Sequence, residues 1–117
     1  MITIIPLSSI TASAATYSGT CGDNLTWMLT SDSTLTISGT GNMADYERYP
    51  DVPWFNYRSD VKKLIIEDGV TSIGREAFIG CSSLESIVLP DSLISISDNA
   101  FYMCSKLKKI NTNKKDK

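Results

Sequence analysis

A chain of 117 residues, 42% apolar and 21% charged with a net charge of −2, has the size and composition of one small globular domain and argues against wholesale disorder. It contains no histidine and three cysteines without a CxxC spacing, which argues against a zinc site and removes the usual base for serine or cysteine nucleophiles. The charge is uneven: residues 1–105 carry 5 basic and 12 acidic side chains, a net of −7, whereas residues 106–117 carry 6 lysines and one aspartate, a net of +5.

The first fourteen residues, MITIIPLSSITASA, are apolar and small and end in Ala12-Ser13-Ala14. They read as a clipped secretory signal peptide, with the hydrophobic region and cleavage site present and the basic start missing. The stretch is too short to span a bilayer, and nothing later in the chain is long and apolar enough, so an integral membrane protein is not expected.

Residues 15–60 divide into a hairpin and a linker. Asn24–Thr30 alternates with Leu25, Trp27 and Leu29 on one face, and Thr34–Gly39 alternates with Leu35 and Ile37 on one face. The short polar loop Ser31-Asp32-Ser33 between them predicts an antiparallel β-hairpin. Its apolar face needs cover, and the expectation is that the hairpin lies over the open first coil of the array that follows, as a cap. Gly39–Asp60 is a linker holding Tyr46, Tyr49, Pro50, Pro53, Trp54, Phe55 and Tyr57. Those aromatics allow two readings, a platform for sugars or peptides or a pinning of the linker to the cap by Trp54 and one or two neighbours, and packing area favours the second.

From residue 61 onward the chain repeats. LIIEDGVTSIGREAFIGCSSLESI, Leu64 to Ile87, aligns with IVLPDSLISISDNAFYMCSKLKKI, Ile87 to Ile110, at an offset of 23 residues. The matches include Asp68/Asp91, Ile73/Ile96, Ala77/Ala100, Phe78/Phe101, Cys81/Cys104, Leu84/Leu107 and Ile87/Ile110. Each unit carries an L-x-x-L-x-L pattern, Leu84-Glu85-Ser86-Ile87-Val88-Leu89 in one and Val61-Lys62-Lys63-Leu64-Ile65-Ile66 in the other. Strand alternation then turns Leu64, Ile66, Ile87 and Leu89 inward and Lys63, Ile65, Ser86 and Val88 outward. Asp68-Gly69 and Pro90-Asp91 close each strand with turn residues, and Ala77-Phe78 and Ala100-Phe101 are expected in a tight turn or one turn of helix. Cys81 and Cys104 recur in phase; a disulfide between them is possible, but repeat geometry accounts for both as small buried hydrophobes. Cys21 has no evident partner.

A repeat of this length with this pattern is a leucine-rich-repeat signature. The strings DGVTSIGREAFIGCSSLESIVLPDSL and SISDNAFYMCSKLKKI resemble the BspA-type leucine-rich-repeat family of surface proteins, and the resemblance covers roughly residues 18–110, with Ser97 departing from the pattern where the first repeat has Gly74. The expected fold class is an α/β, β-rich leucine-rich-repeat solenoid: a short parallel sheet with one strand per 23-residue repeat behind an N-terminal antiparallel hairpin cap. The expected divisions are a signal at 1–14, cap and linker at 15–60, repeats at 61–110 and a polar basic tail at 111–117.

The resemblance implies binding and carries no catalytic signature, and the residues point the same way. Gly39-Thr40-Gly41 lacks the Gly-Lys-Ser/Thr of a phosphate loop, Glu67 and Asp68 adjoin in extended chain and should diverge, and no cofactor motif is present. The lysine-rich tail lacks arginine and aromatics, so no nucleic-acid partner is expected. The candidate partner-binding face is the outward side of the strands, Lys63/Ser86/Lys109 and Ile65/Val88/Asn111, where two β-branched residues are flanked by lysines. The expected role is a secreted or cell-surface module that binds a protein on a host or bacterial surface, with self-association through the open last coil. The competing roles are a non-binding spacer of a larger surface protein and a carbohydrate-binding accessory domain.

Overall fold

The computed structural model describes residues 15–46 and 51–112; the signal-like segment 1–14, the linker residues Tyr49 and Pro50, and the tail residues 113–117 lie outside the described residues. The strands are β1 (Ala15–Gly22), β2 (Leu25–Thr30), β3 (Thr34–Gly39), β4 (Gly41–Asn42), β5 (Lys63–Ile66), β6 (Val70–Ile73), β7 (Ser86–Leu89), β8 (Ser95–Ile96) and β9 (Lys109–Thr112), with a 3-10 helix at Phe55–Asp60. They form a six-stranded sheet in the order β1-β2-β3-β5-β7-β9 and a three-stranded sheet in the order β4-β6-β8.

The expected hairpin is present as β2 and β3, paired antiparallel with Leu29 opposite Leu35 and Trp27 opposite Ile37. Strand β1, which the alternation pattern did not reveal, adds antiparallel to β2 through a register with two irregularities. From β3 onward the pairing is parallel: β3 with β5, β5 with β7, β7 with β9. Residues matched by the sequence repeat are partners in the sheet, Leu64 with Ile87 and Ile87 with Ile110, and in the second sheet Ser72 pairs with Ser95 and Ile73 with Ile96.

The hairpin does not lie across the first coil as a lid. It joins the same sheet edge to edge, with Leu35 beside Leu64 and Ile37 beside Ile66, while Gly41 of β4 pairs with Val70 of β6. The physical reason is hydrogen bonding. An open edge on β5 would leave a row of unpaired backbone groups, and a face-on cover cannot satisfy them. Residues 34–42 follow the strand–turn–strand path of a repeat, so both edges are met at once: the Glu67 N–H donates to the Ile37 carbonyl and the Gly41 N–H donates to the Gly69 carbonyl, each at 2.9 Å.

The described residues hold no α-helix, and the 3-10 helix Phe55–Asp60 lies in the linker, before the repeats. Ala77-Phe78 and Ala100-Phe101 sit in turns. Left-handed backbone at Glu76 and Gly80 (φ 58° and 75°), repeated at Asn99 and Met103 (57° and 65°), breaks any helical nucleus before it completes.

One apolar cluster takes side chains from both sheets and from the linker: Leu25, Trp27, Leu35 and Ile37 from the hairpin, Val61, Leu64, Ile66, Val70 and Ile73 from the first repeat, and Trp54 from the linker. Its spine is a stack of rings. Trp54 lies on Phe78 with centroids 5.1 Å apart, and Phe78 lies on Phe101 at 5.5 Å, both pairs inclined by only 9°. Trp54 thus occupies, for the coil begun by the hairpin, the place that phenylalanine holds in the repeats.

Candidate partner-binding face

Alternation and register together decide what the six-stranded sheet shows to solvent. Lys63 pairs with Ser86 and Ser86 with Lys109; Ile65 pairs with Val88 and Val88 with Asn111. The six residues expected on the outer face are therefore brought together in two rows. The rows also run on into the hairpin. Thr34 continues the lysine row, and Thr36, Met28 and Ser18 continue the apolar one, so that Ser18, Met28, Thr36, Ile65, Val88 and Asn111 cross the whole sheet.

Neighbouring members of such a row stand about 4.8 Å apart. Lys63, Lys109 and Asn111 are exposed, Ser86, Ile65 and Val88 are half-buried, and Met28 is 44% exposed, making it the most protruding apolar group of the row. A shallow depression of about 460 Å³ adjoins Ile65 and Val88 and is bordered by Ile66, Glu67 and Asp68. Lysines thus flank the apolar row on one side and carboxylates on the other. The Met28–Thr36 half of the row escapes a sequence reading that treats hairpin and repeats as separate bodies; the only trace is the outward alternation Thr26-x-Met28-x-Thr30.

The linker aromatics do not form a sugar platform around Trp54. That ring is 1% exposed, meets Trp27 edge-on at 5.8 Å, and its indole N–H donates to the Ala77 carbonyl at 2.8 Å. It anchors the linker to both the hairpin and the first repeat. Tyr57 stacks on Tyr17 of β1 at 3.9 Å, a second pin between the linker and the antiparallel strands.

All three cysteines are free thiols. Burial pushes the Cys21 thiol up to about 12, and burial followed by the proximity of Cys21 pushes the Tyr46 hydroxyl up to about 12. Cys81 and Cys104 perturb each other: the side-chain hydrogen bond between them, then burial, raises Cys81, and the same bond lowers Cys104. Among the described residues, no group of three or more cysteine, aspartate or glutamate side chains is placed to hold a metal ion.

Parallel strands paired at matching repeat positions, closed by recurring Asp-Gly or Pro-Asp turns and filled by a ladder of phenylalanines, define a leucine-rich-repeat β-framework. Residues 53–117 match the family described as BspA type leucine rich repeat region (6 copies), and the chain belongs to that family. Repeat regions of this kind are generally non-catalytic scaffolds. Among solved structures, the chain is similar to a leucine-rich repeat protein from Eubacterium ventriosum ATCC 27560, with 32% identity and a TM-score of 0.77 over 84% of this chain and 27% of that one. It is also similar to a leucine rich cell surface protein from Faecalibacterium prausnitzii A2-165, with 24% identity and a TM-score of 0.44 over 85% of this chain and 32% of that one. The chain therefore spans about a third or less of the length of these relatives. No curated protein matches.

Proposed function

We propose that this chain is a secreted or cell-surface binding module in which 23-residue coils wind as a solenoid and the outer face of the six-stranded sheet receives a protein partner from a host or bacterial surface. The observation that carries the reading is the uninterrupted outer row from Met28 through Ile65 to Val88, flanked by Lys63 and Lys109, on a sheet whose strands are held in register. A flat face with a central apolar row and charged borders has the arrangement of an interface core and rim. In this reading residues 15–60 close the start of the solenoid, residues 61–110 are the coils, and the signal-like segment 1–14 directs export.

The test is binding of purified protein to a defined panel of extracellular-matrix and bacterial-surface proteins. Lys63→Glu with Lys109→Glu, and separately Ile65→Asp with Val88→Asp, should abolish the interaction while leaving the thermal transition in place. Unchanged capture by both double variants counts against the sheet face.

A specific observation also favours a spacer role. Ile94, Ile96, Tyr102, Met103 and Ile110 of the last coil are between 47% and 82% exposed. A coil end of that kind fits a further coil or a second copy of this chain, which suits a structural segment of a longer array and self-association. Sedimentation of wild type against Ile96→Asp with Ile110→Asp separates the two: a self-associating wild type and a monomeric variant support an end-on contact.

A further inference from the structure

The in-phase cysteines do more than fill space. Their coils are held at backbone hydrogen-bonding distance beside them, the Phe78 N–H donating to the Ala100 carbonyl and the Gly80 N–H to the Tyr102 carbonyl, both at 2.8 Å. Within that frame the Cys104 Sγ–H donates to the Phe78 carbonyl at 3.2 Å, and the Cys81 N–H donates to the same carbonyl at 3.2 Å. The Cys104 sulfur therefore lies directly over the start of Cys81. Its neighbour is fully buried, whereas Cys104 is partly exposed.

A cleft of about 560 Å³ opens on the same edge, lined by the residues that flank each cysteine, Gly80 and Ser82 on one coil and Met103 and Ser105 on the next, together with Arg58 and Ile79. The Arg58 guanidinium is held over the Phe55 ring at 3.8 Å and acts on Cys81 as a nearby positive charge.

We propose that Cys104 and Cys81 form a thiol–disulfide exchange site for a low-molecular-weight disulfide that carries carboxylates, and that the product is a reversible cross-coil disulfide. Cys104 attacks first, as the reachable thiol, and its hydrogen bond from Cys81 favours the thiolate that does the chemistry. The Cys104 sulfur bonds to one sulfur of the small disulfide, whose S–S bond breaks; the other half leaves with the electron pair and takes a proton as a free thiol. Cys81 then gives up its proton, attacks the Cys104 sulfur, and expels the second half as a thiol. Two protein thiols become one disulfide, and one small disulfide becomes two thiols. Arg58 supplies the cation for the carboxylates.

Neighbouring coils of a parallel array stand about 4.8 Å apart, inside the Cα spacing of about 4.4–6.8 Å that a disulfide needs. Cys104 is partly exposed, so the bond stays open to reduction by thiols. Its effect is to tie the exposed last coil to the buried one before it.

The test uses oxidised glutathione on the folded chain, with thiol titration and peptide mapping. The expected result is loss of two of the three free thiols, a mass lower by two hydrogens, a Cys81–Cys104 peptide pair, and recovery by reduced glutathione. Cys81→Ser should stop at a glutathione adduct on Cys104, and Cys21→Ser should react as wild type. Arg58→Gln should slow the reaction with oxidised glutathione several-fold and leave that with uncharged 2-hydroxyethyl disulfide unchanged. Three thiols persisting in the folded protein, an adduct on Cys104 that Cys81 never resolves, or a bond to Cys21 overturns the exchange site. Equal slowing with both disulfides overturns the role of Arg58.

Discussion

The two repeats are built from nearly the same residues, yet only one of them has a core. Ile73, Phe78, Cys81, Leu84 and Ile87 of the first are at most 1% exposed. Their counterparts Ile96 and Ile110 are 47% and 58% exposed, and Phe101, Cys104 and Leu107 are only partly buried. Ala77 and Ala100 keep the same burial, 2% each, as do Leu64 and Ile87, both fully buried. The first repeat is covered on both sides, by the hairpin coil with Trp54 and by the second repeat. The second is covered on one side. Burial in this chain is thus a property of what stacks above and below a residue, and the repeat sequence itself specifies only the inward direction.

That contrast can be broken at the ring ladder first. Phe78→Ala removes the ring packed between Trp54 and Phe101 and should cost about 3–5 kcal/mol. Against a total of about 5–15 kcal/mol for a small domain, the variant should be largely unfolded at 37 °C by circular dichroism. Phe101→Ala, with one face already open, should cost about 1–2 kcal/mol. Equal losses at the two positions would end the comparison.

The same logic applies where the repeats differ in sequence. A Cβ on Gly74 would run into the Ala44 carbonyl of the linker, so Gly74→Ala should destabilise by about 1–3 kcal/mol. Ser97 takes the equivalent place one coil later, where its N–H donates to the Ile73 carbonyl at 3.0 Å. Ser97→Ala should change the unfolding free energy read from chemical denaturation by no more than about 0.5 kcal/mol.

A third test uses pH on the hairpin coil. Burial raises Cys21 from its ordinary 9.0 to about 12 and Tyr46 from 10.0 to about 12, so the fold favours their protonated forms. Their contribution to stability is complete below about pH 9 and is lost as pH climbs toward 12. Melting temperature should fall over that window, and Cys21→Ser should flatten the fall; an identical slope in the variant would assign the alkaline loss to other groups. A small gain is expected at Met103, which holds the left-handed conformation (φ 65°) that Gly80 supplies one coil earlier. Met103→Gly relieves about 1–2 kcal/mol of backbone strain and returns about 0.5–1 kcal/mol in chain entropy, for a net gain of about 0.5–1 kcal/mol in denaturant-unfolding stability.

Much of the fold was legible because it rests on local periodicity. Alternation in Leu25–Thr30 and Thr34–Gly39 marks the hairpin, and the recurrence of Leu64, Phe78 and Cys81 marks both the strands and the partners they meet. The outer positions Lys63, Ile65, Ser86, Val88, Lys109 and Asn111 follow from the same two rules, so half of the candidate face was readable before any coordinates. The other half was not. Met28 and Thr36 join it only because β3 pairs with β5, and edge pairing is made by backbone groups that every residue carries.

The sequence by itself determined which side chains point inward, where the strands turn and which residues of successive repeats align, since each of these depends on spacing along the chain. Only the tertiary structure decided that the hairpin extends the sheet instead of covering it, that Trp54 stands in for a phenylalanine, and that the second repeat is half open. Leu35 meets Leu64 at 29 residues, well off the repeat length, and Trp54 meets Phe78 at 24, near it but with a different ring, so matching the two repeats to each other finds neither pair. Their position is set by the need to pair an open strand edge and to fill the space beside Phe78, and both demands exist only once the coils are stacked.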